Sequence, residues 1–564
     1  MGRDVLILGL GASGAAAAGH ALSDGESVVV YAGTATPASR ETARELEAAG
    51  ARVVFDCEDV EGSHALCVAS PGIPRTSHFY ESALRASDEL ICEPEHAWRS
   101  SPEGWVGVTG TNGKTTTAAL IAHILSACGD PCSLCGNTQD ATATEAALSR
   151  ADGGSIVCEL SSYQLASTTR FAPEVGVLTN IGSDHLAWHG GQSEYARAKL
   201  RLFANMGAGS TAVVCAEVDG WEDLERDLLS RGADFVVVGV RRERSCAWCE
   251  GDPSRGDSAL HLVDGDGTDS VLCTVGDLSI RGPHNVSNAL AAAVAARARL
   301  RRDDPPPVAG IPFCSSGAGA RVRRDDPPPV AGISFCSSGA GARVRRDEQN
   351  GISATCRGGA AGGGAARAGG RDEQNGISGT CLEGVARIAA ALATFEPLAH
   401  RIESCGSADG IEFLDDSKAT NTDAAIVAVR SFPGRPVVLL AGGRDKNGPL
   451  DDLVTVCREC CRHVVAYGEA QERFYSAMRS GDVPVTRAEG MRDAFDEACS
   501  IARPGDVVLL SPACASFDEF SSFAERGDVF KELVAQHVRA DVDRASAGYG
   551  ISAGDGAPGR REGR

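Results

Sequence analysis

Trp105-Val106-Gly107-Val108-Thr109-Gly110-Thr111-Asn112-Gly113-Lys114-Thr115-Thr116 reads as an apolar strand that runs into a glycine-rich turn. The apolar spacing that follows, Ala118, Leu120, Ile121, Ile124 and Leu125, predicts a helix. Strand, loop and helix in that order are the setting a phosphate-binding loop requires. Glycines let backbone N–H groups converge on phosphate oxygens, and the helix N-terminus adds partial positive charge. Lys114 would reach the terminal phosphates, and the Thr115 hydroxyl would hold Mg²⁺. Val108 stands where the longer Walker spacing has glycine, so the pattern is the looser G-x-x-G-K-T.

Around this loop the chain has 564 residues, enough for three or four domains with their own cores. A formal charge of −22 excludes a general nucleic-acid binder, which needs a basic surface. No charged-then-apolar signal opens the sequence and no run of 18 apolar residues could span a bilayer, so a cytoplasmic protein is expected. The cysteines number 21. The pairs Cys132/Cys135 and Cys246/Cys249 lie far apart, and Cys457, Cys460, Cys461 and His463 form a third cluster. Zinc sites want two such pairs at short separation, so these read as buried or incidental thiols.

The chain begins with a short strand, Asp4 to Leu8, that enters the turn Gly9–Gly14, an Ala-rich helix and a second strand, Ser27 to Tyr31. This is a Rossmann-type unit. Tyr31-Ala32-Gly33 offers no carboxylate for a ribose, which argues against NAD. A single diphosphate on the helix N-terminus and plain tight packing both remain open. Another strand ends in Ser70-Pro71-Gly72-Ile73-Pro74. Beyond the phosphate loop, Ile156 to Glu159 places a carboxylate at the end of a buried strand, which is costly unless the charge is paired or on a metal. Val175 to Leu178 is the next strand, and Asn180, Asp184, His185 and His189 follow it closely, as Mg²⁺ or phosphate chemistry would need. Lys199, on a helix from Tyr195, reads by itself as surface charge.

Residues 282–300 form a predicted helix with His284, Asn285 and Asn288 on its first turn. The pattern then breaks. Arg301–Val322 recurs as Arg323–Val344 with one difference, Pro312 against Ser334, and Arg346–Ser353 recurs as Arg371–Ser378. These repeats hold few large apolar residues and cannot bury a shared face, so 301–375 is expected to be a disordered insertion. A helix from Leu382 to Phe395 and strands Val437 to Leu440 and Val507 to Leu510, each ending in a polar loop, describe a third α/β domain. The expected division is 1–95, 96–300, the insertion 301–375, 376–544 and a frayed tail 545–564.

Taken together and in order, these motifs resemble the Mur ligase family of peptidoglycan synthesis, and within it the D-glutamate-adding branch. The carriers are Gly9–Gly14, Ser70–Gly72, Gly110–Thr116, Glu159–Leu165, Asn180–His185, Arg197–Lys199, His284–Asn288, His400-Arg401, Asp416–Asn421, Gly442–Lys446 and Leu510–Phe517. The resemblance implies three α/β domains: a Rossmann-like UDP-binding domain, a central phosphate-loop ATPase domain and a Rossmann-like domain that binds the amino acid. It also implies ATP-driven amide formation through an acyl phosphate, with two Mg²⁺ ions. Gly110, Thr111, Asn112, Gly113, Lys114, Thr115 and Thr116, with Asn285, Asn288, Arg401 and Asp416, would hold ATP. Thr115, Glu159, His185 and Lys199 would hold metal, Lys199 as a carbamate, and Lys114, Glu159, His185 and Lys199 would be catalytic. Ser13, Gly72, Asn137, Ser161, Gln164, Lys418, Thr420, Lys446, Ser516, Phe517 and Phe523 would bind the UDP-sugar or D-glutamate. A monomer without nucleic-acid or membrane partners is expected.

Two departures stand out. Ala32 or Gly33 falls where some relatives carry an acidic residue near uracil, and the insertion falls between the second and third domains. Competing readings are a ligase for another amino acid, a folylpolyglutamate synthetase, or a nucleotide-binding homologue disabled by the insertion. The D-N-P-R signature of diaminopimelate-adding relatives is absent, a folate enzyme would lack the Gly9–Gly14 domain, and Lys114, Glu159, His185 and Lys199 are intact.

Overall fold

The computed structural model describes residues 3–137, 139, 141–239, 246–263, 269–301, 375–445 and 448–548. The repeated insertion, but for its two ends, most of the expected tail, and Lys446 lie outside the described residues. The chain divides into Met1–Ser316 with Gly384–Arg564, and Gly317–Glu383; three sheets belong to the first of these units.

The first sheet joins β1 (Asp4–Leu8), β2 (Ser27–Tyr31), β3 (Arg52–Val54), β4 (Leu66–Ala69) and β5 (Leu90–Cys92). All pairs are parallel, in the order β3-β2-β1-β4-β5. Val5, Leu6, Ile7 and Leu8 are wholly buried, as a strand covered on both faces requires. The turn after β1 is tight: a Cβ on Gly14 would lie 2.0 Å from the Gly9 carbonyl oxygen. Close helix–strand packing therefore accounts for Gly14. Gly14→Ala is expected to destabilise the first sheet by about 1–3 kcal/mol, read as a lower thermal midpoint.

The second sheet carries β6 (Trp105–Thr109), β7 (Cys132–Gly136), β8 (Ser155–Glu159), β9 (Val175–Leu178), β10 (Thr211–Cys215) and β11 (Asp234–Val238). It is extended by a ribbon, β12 (Ala247–Glu250), β13 (Ala259–Val263) and β14 (Asp269–Thr274). The order is β14-β13-β12-β11-β10-β9-β6-β8-β7, parallel except within the ribbon. The helix Lys114–Ala127 packs on the helix Pro283–Leu300, whose Ala289, Ala291, Ala292 and Ala293 are wholly buried. Small side chains let the two axes approach closely.

In the third sheet β15 (Glu403–Ala408), β16 (Ile411–Asp415), β17 (Val437–Gly442), β18 (Cys461–Tyr467), β19 (Val485–Ala488) and β20 (Val507–Ala513) pair in the order β15-β16-β20-β17-β18-β19. Only the β15/β16 pair is antiparallel. Two helices, Asn375–Thr394 and Phe523–Gly548, run longer than the apolar pattern alone predicts. α/β architecture is thus present in all three sheets. Among the described residues the cysteines are free thiols, and none of them belongs to a metal-type cluster.

Candidate active site

A cleft of about 290 Å³ opens where β6, β8 and β9 end and faces the end of β16. Parallel sheets bind ligands at this edge, because strand ends deliver loops and helix N-termini there. The phosphate loop forms one wall. Gly110 and Gly113 have φ of +155° and +82°, and a Cβ would lie 1.9 Å from Thr179 Oγ1 at Gly110 and 2.5 Å from Asn288 Oδ1 at Gly113. Only glycine fits both positions. Asn180 fastens the loop from behind: its Oδ1 accepts from the Asn112 N–H at 2.9 Å, and its Nδ2 donates to the Asn112 carbonyl at 3.0 Å. Lys114 Nζ donates to the carbonyls of Gly110 and Thr111 at 3.0 and 2.8 Å, curled over its own loop.

Glu159, the last residue of β8, is 1% exposed and accepts from Gln139 Nε2 at 3.1 Å. Thr115, Glu159 and His185 all line the cleft. Hydroxyl, carboxylate and imidazole are a donor set that fits a divalent cation, and a buried carboxylate is costly without a compensating charge. His185 is held at φ +54°, its ring 4.8 Å from that of Tyr163. The neighbouring Asp184 accepts from Asn421 Nδ2 at 3.3 Å.

Lys199 is 1% exposed, which overturns the surface-charge reading its local sequence gives. Its Nζ donates to the Gly110 carbonyl at 2.6 Å and lies 4.5 Å from the Tyr195 ring centroid. Burial, and then repulsion by Lys114, hold its pKa well below the usual lysine value. Tyr195 in turn shares a hydrogen bond with Thr111 Oγ1 at 3.0 Å, tying this helix to the phosphate loop.

The opposite wall comes from the third sheet and the helix Pro283–Leu300. Arg401 Nη2 donates to Thr115 Oγ1 at 2.9 Å. Asn288 Nδ2 donates to Asn285 Oδ1 at 2.9 Å, and Asn288 Oδ1 accepts from the Thr117 hydroxyl at 3.2 Å. Burial and Arg401 push His284 down to about 4, so it is neutral near pH 7. Burial, partly offset by Ser511 and Arg401, raises Asp416 to about 7, and burial lowers Lys418 to about 8. At Asp416 the folded state binds a proton the unfolded chain has lost, so its contribution to stability falls as pH rises from about 4 to 7. Asp416→Asn is expected to flatten that part of the stability profile, measured by urea unfolding across pH.

A second cavity of about 560 Å³ shares Asp184, His185 and Asn421 with the cleft and continues past Tyr163 and Trp188 to Asp445 and Arg473. Arg473 Nη1 donates to both Asp445 carboxylate oxygens at 2.8 Å.

The cleft gathers Thr111 to Thr116, Asn137, Glu159, His185, Asn285, Asn288, Arg401, Asp416, Lys418, Thr420 and Phe523. Gly110 and Lys199 lie directly behind its loop. Ser13 and Gly72 lie at the first sheet, apart from it. Ser161 and Gln164 are engaged with each other in a helix capping box. Ser516 is buried and Phe517 is 61% exposed, neither lining the cleft. Sequence reasoning missed Gln139, and it missed Arg526, which is wholly buried and donates to Ser417 and Cys514 carbonyls at 2.8 and 3.1 Å. It also passed over the tie beneath Arg401. There His400 Nδ1 lies 2.7 Å from Asp415, and Glu403 accepts from the His400 N–H and from Lys531. With those partners the His400, Glu403 and Asp415 group reads as a structural tie.

The chain matches the Mur ligase middle domain over residues 108–296 and the Mur ligase glutamate ligase domain over 400–514. It is 32% identical to the UDP-N-acetylmuramoylalanine–D-glutamate ligase of Pelotomaculum thermopropionicum, over 94% of this chain and 97% of that one. It is 30% identical to the ligase of the same name from Geobacillus kaustophilus, again over 94% and 97%. Among solved structures, a pseudomurein peptide ligase type C from Methanothermus fervidus shares the fold at 14% identity, with a TM-score of 0.51 over 95% of this chain and all of that one. MurF from Acinetobacter baumannii does so at 16% identity, with a TM-score of 0.51 over 93% of each. A phosphate loop facing an arginine and an aspartate from a third α/β sheet, in a chain related over nearly its whole length to these enzymes, leads to one conclusion: this chain belongs to the Mur ligase family.

Proposed function

We propose that the chain joins D-glutamate to UDP-N-acetylmuramoyl-L-alanine by ATP-dependent amide formation. The observation that carries the reading is the convergence of Lys114, Thr115, Glu159 and His185 with Arg401 and Asp416 in one cleft, within a chain related along its length to ligases of that name. In the first step an oxygen of the alanyl carboxylate attacks the γ-phosphorus of ATP, the bond to the bridging oxygen breaks, and ADP leaves behind an acyl phosphate. The amine of D-glutamate then attacks the acyl carbon, loses a proton, and the tetrahedral species expels phosphate.

Two anions meet in the first step, so the site must supply positive charge where negative charge develops. Lys114 does this once its ammonium exchanges the carbonyls of Gly110 and Thr111 for phosphate oxygens. Two Mg²⁺ ions, held by Thr115 and by Glu159, His185 and a carbamylated Lys199, would neutralise phosphate charge. The Lys199 environment supports that modification. A buried amine with depressed basicity keeps the lone pair that adds to CO₂, releasing a proton and leaving a carboxylate-like group. Asn285, Asn288, Arg401 and Asp416 hold the nucleotide in this reading. Thr420, Lys418, Phe523, Lys446, Ser516 and Phe517 serve D-glutamate, and Ser13, Gly72, Asn137, Ser161 and Gln164 serve the UDP-sugar. Among the described residues no helix is long and apolar enough to cross a membrane. The proposed setting is cytoplasmic precursor synthesis by a monomer.

Labelling the alanyl carboxylate with ¹⁸O tests the first step. One labelled oxygen is expected in the released phosphate for each turnover; unlabelled phosphate would rule out the acyl phosphate.

A further inference from the structure

A third cavity, of about 240 Å³, shares Trp188 with the second, and three guanidinium groups border it: Arg75, Arg197 and Arg201. The surplus of positive charge stands out in a chain of net charge −22. Arg197 is partnered by Glu194. Arg75 and Arg201 make no ion pair among the described residues and spend their hydrogen bonds on backbone carbonyls: Arg75 Nη1 donates to Ala166 at 3.4 Å, and Arg201 Nη2 donates to Thr168. Arg201 Nε is buried with no hydrogen-bond partner. A buried donor in that state costs free energy.

The remaining lining adds no compensating negative charge. Trp188 and His189 form an aromatic wall with ring centroids 4.5 Å apart, and His189 Nε2 pairs with Ser162 Oγ at 2.9 Å. Burial is the main cause that pushes His189 down to about 4, so it stays neutral near pH 7. Planar guanidinium forks converging on a small cavity match the oxygens of a phosphate or diphosphate better than a point charge would.

We infer that the cavity bordered by Arg75, Arg197 and Arg201 binds a phosphate-bearing anion. Arg75 follows the turn Ser70–Pro74 of the first sheet, whereas Arg197 and Arg201 flank Lys199 on the second, so an occupant would bridge the two. The phosphate could be the diphosphate of a nucleotide-sugar substrate or a free phosphate compound. Only the first alternative rests on the ligase reading.

The test is calorimetric titration of inorganic pyrophosphate into full-length protein with the phosphate loop saturated by ADP and Mg²⁺. Wild type, Arg75→Ala and Arg201→Lys are compared, and KM for the UDP-sugar is measured for each. Arg75 is exposed, so its variant should fold normally, and a thermal midpoint equal to wild type checks this. At least tenfold weaker pyrophosphate binding is expected in Arg75→Ala. If pyrophosphate also competes with the UDP-sugar and the variant raises its KM at least tenfold with kcat kept, the occupant is the substrate diphosphate. If KM is unchanged, the occupant is a free phosphate compound. Pyrophosphate affinity equal in wild type and both variants, or no binding at all, overturns the site even where ligase activity is intact.

Discussion

Lys199→Met is expected to lower kcat by roughly 10²- to 10³-fold while the protein still folds and binds nucleotide. Lys199 is buried, touches the Gly110 carbonyl at 2.6 Å and has its basicity depressed by burial and by Lys114. Methionine keeps most of the side-chain volume, so packing against Tyr195 is largely retained. What it removes is the nitrogen that can become a carbamate. The wild-type enzyme should behave correspondingly: stripping CO₂ from the buffer lowers its activity and bicarbonate restores it, whereas Lys199→Met responds to neither. Intact activity in Lys199→Met would show that Lys199 only fills space.

Lys114→Met should be comparably severe, by roughly 10³-fold in kcat/KM for ATP, because the loop loses the one side-chain cation it carries toward the terminal phosphates. Arginine should not rescue it. The space beside Gly110 and Thr111 holds an ammonium that donates to two carbonyls 3.0 and 2.8 Å away, and a planar fork needs a different arrangement of acceptors. Steady-state kinetics on Lys114→Met and Lys114→Arg checks both statements. Activity within tenfold of wild type in either would move the phosphate contact to another cation, with Arg401 and Lys418 the nearest choices in the cleft.

Where local pattern and burial agree, the sequence was legible. The strand Trp105–Thr109 and the helix from Lys114 follow from an apolar run, glycines and a 3.6-residue period. Glu159 at a strand end was visible because five buried residues precede a polar loop. The ribbon β12–β14 went unread, because Ala247–Glu250 and Asp269–Thr274 are short and their alternation is weak. Lys199 was readable only through family resemblance. Its neighbours Glu194 and Arg197 are exposed, and nothing local says that the lysine turns toward Gly110. Ser161 and Gln164 show the converse, since a capping box is written in their spacing and their side chains are engaged in it. Arg526 carries no local signal either. Its partners Ser417 and Cys514 come from distant segments, and the following Gly527 is required because a Cβ there would sit 2.1 Å from His400 Nδ1.

The central claim is tested most directly by phosphate release from ATP in the presence of UDP-N-acetylmuramoyl-L-alanine, with D-glutamate, L-glutamate, meso-diaminopimelate and L-lysine supplied in turn. Release is expected with D-glutamate, and only background rates with the other three. Release with a different amino acid would contradict the assigned pocket, and no release with any of them, from protein that still binds ATP, would contradict the ligase reading itself.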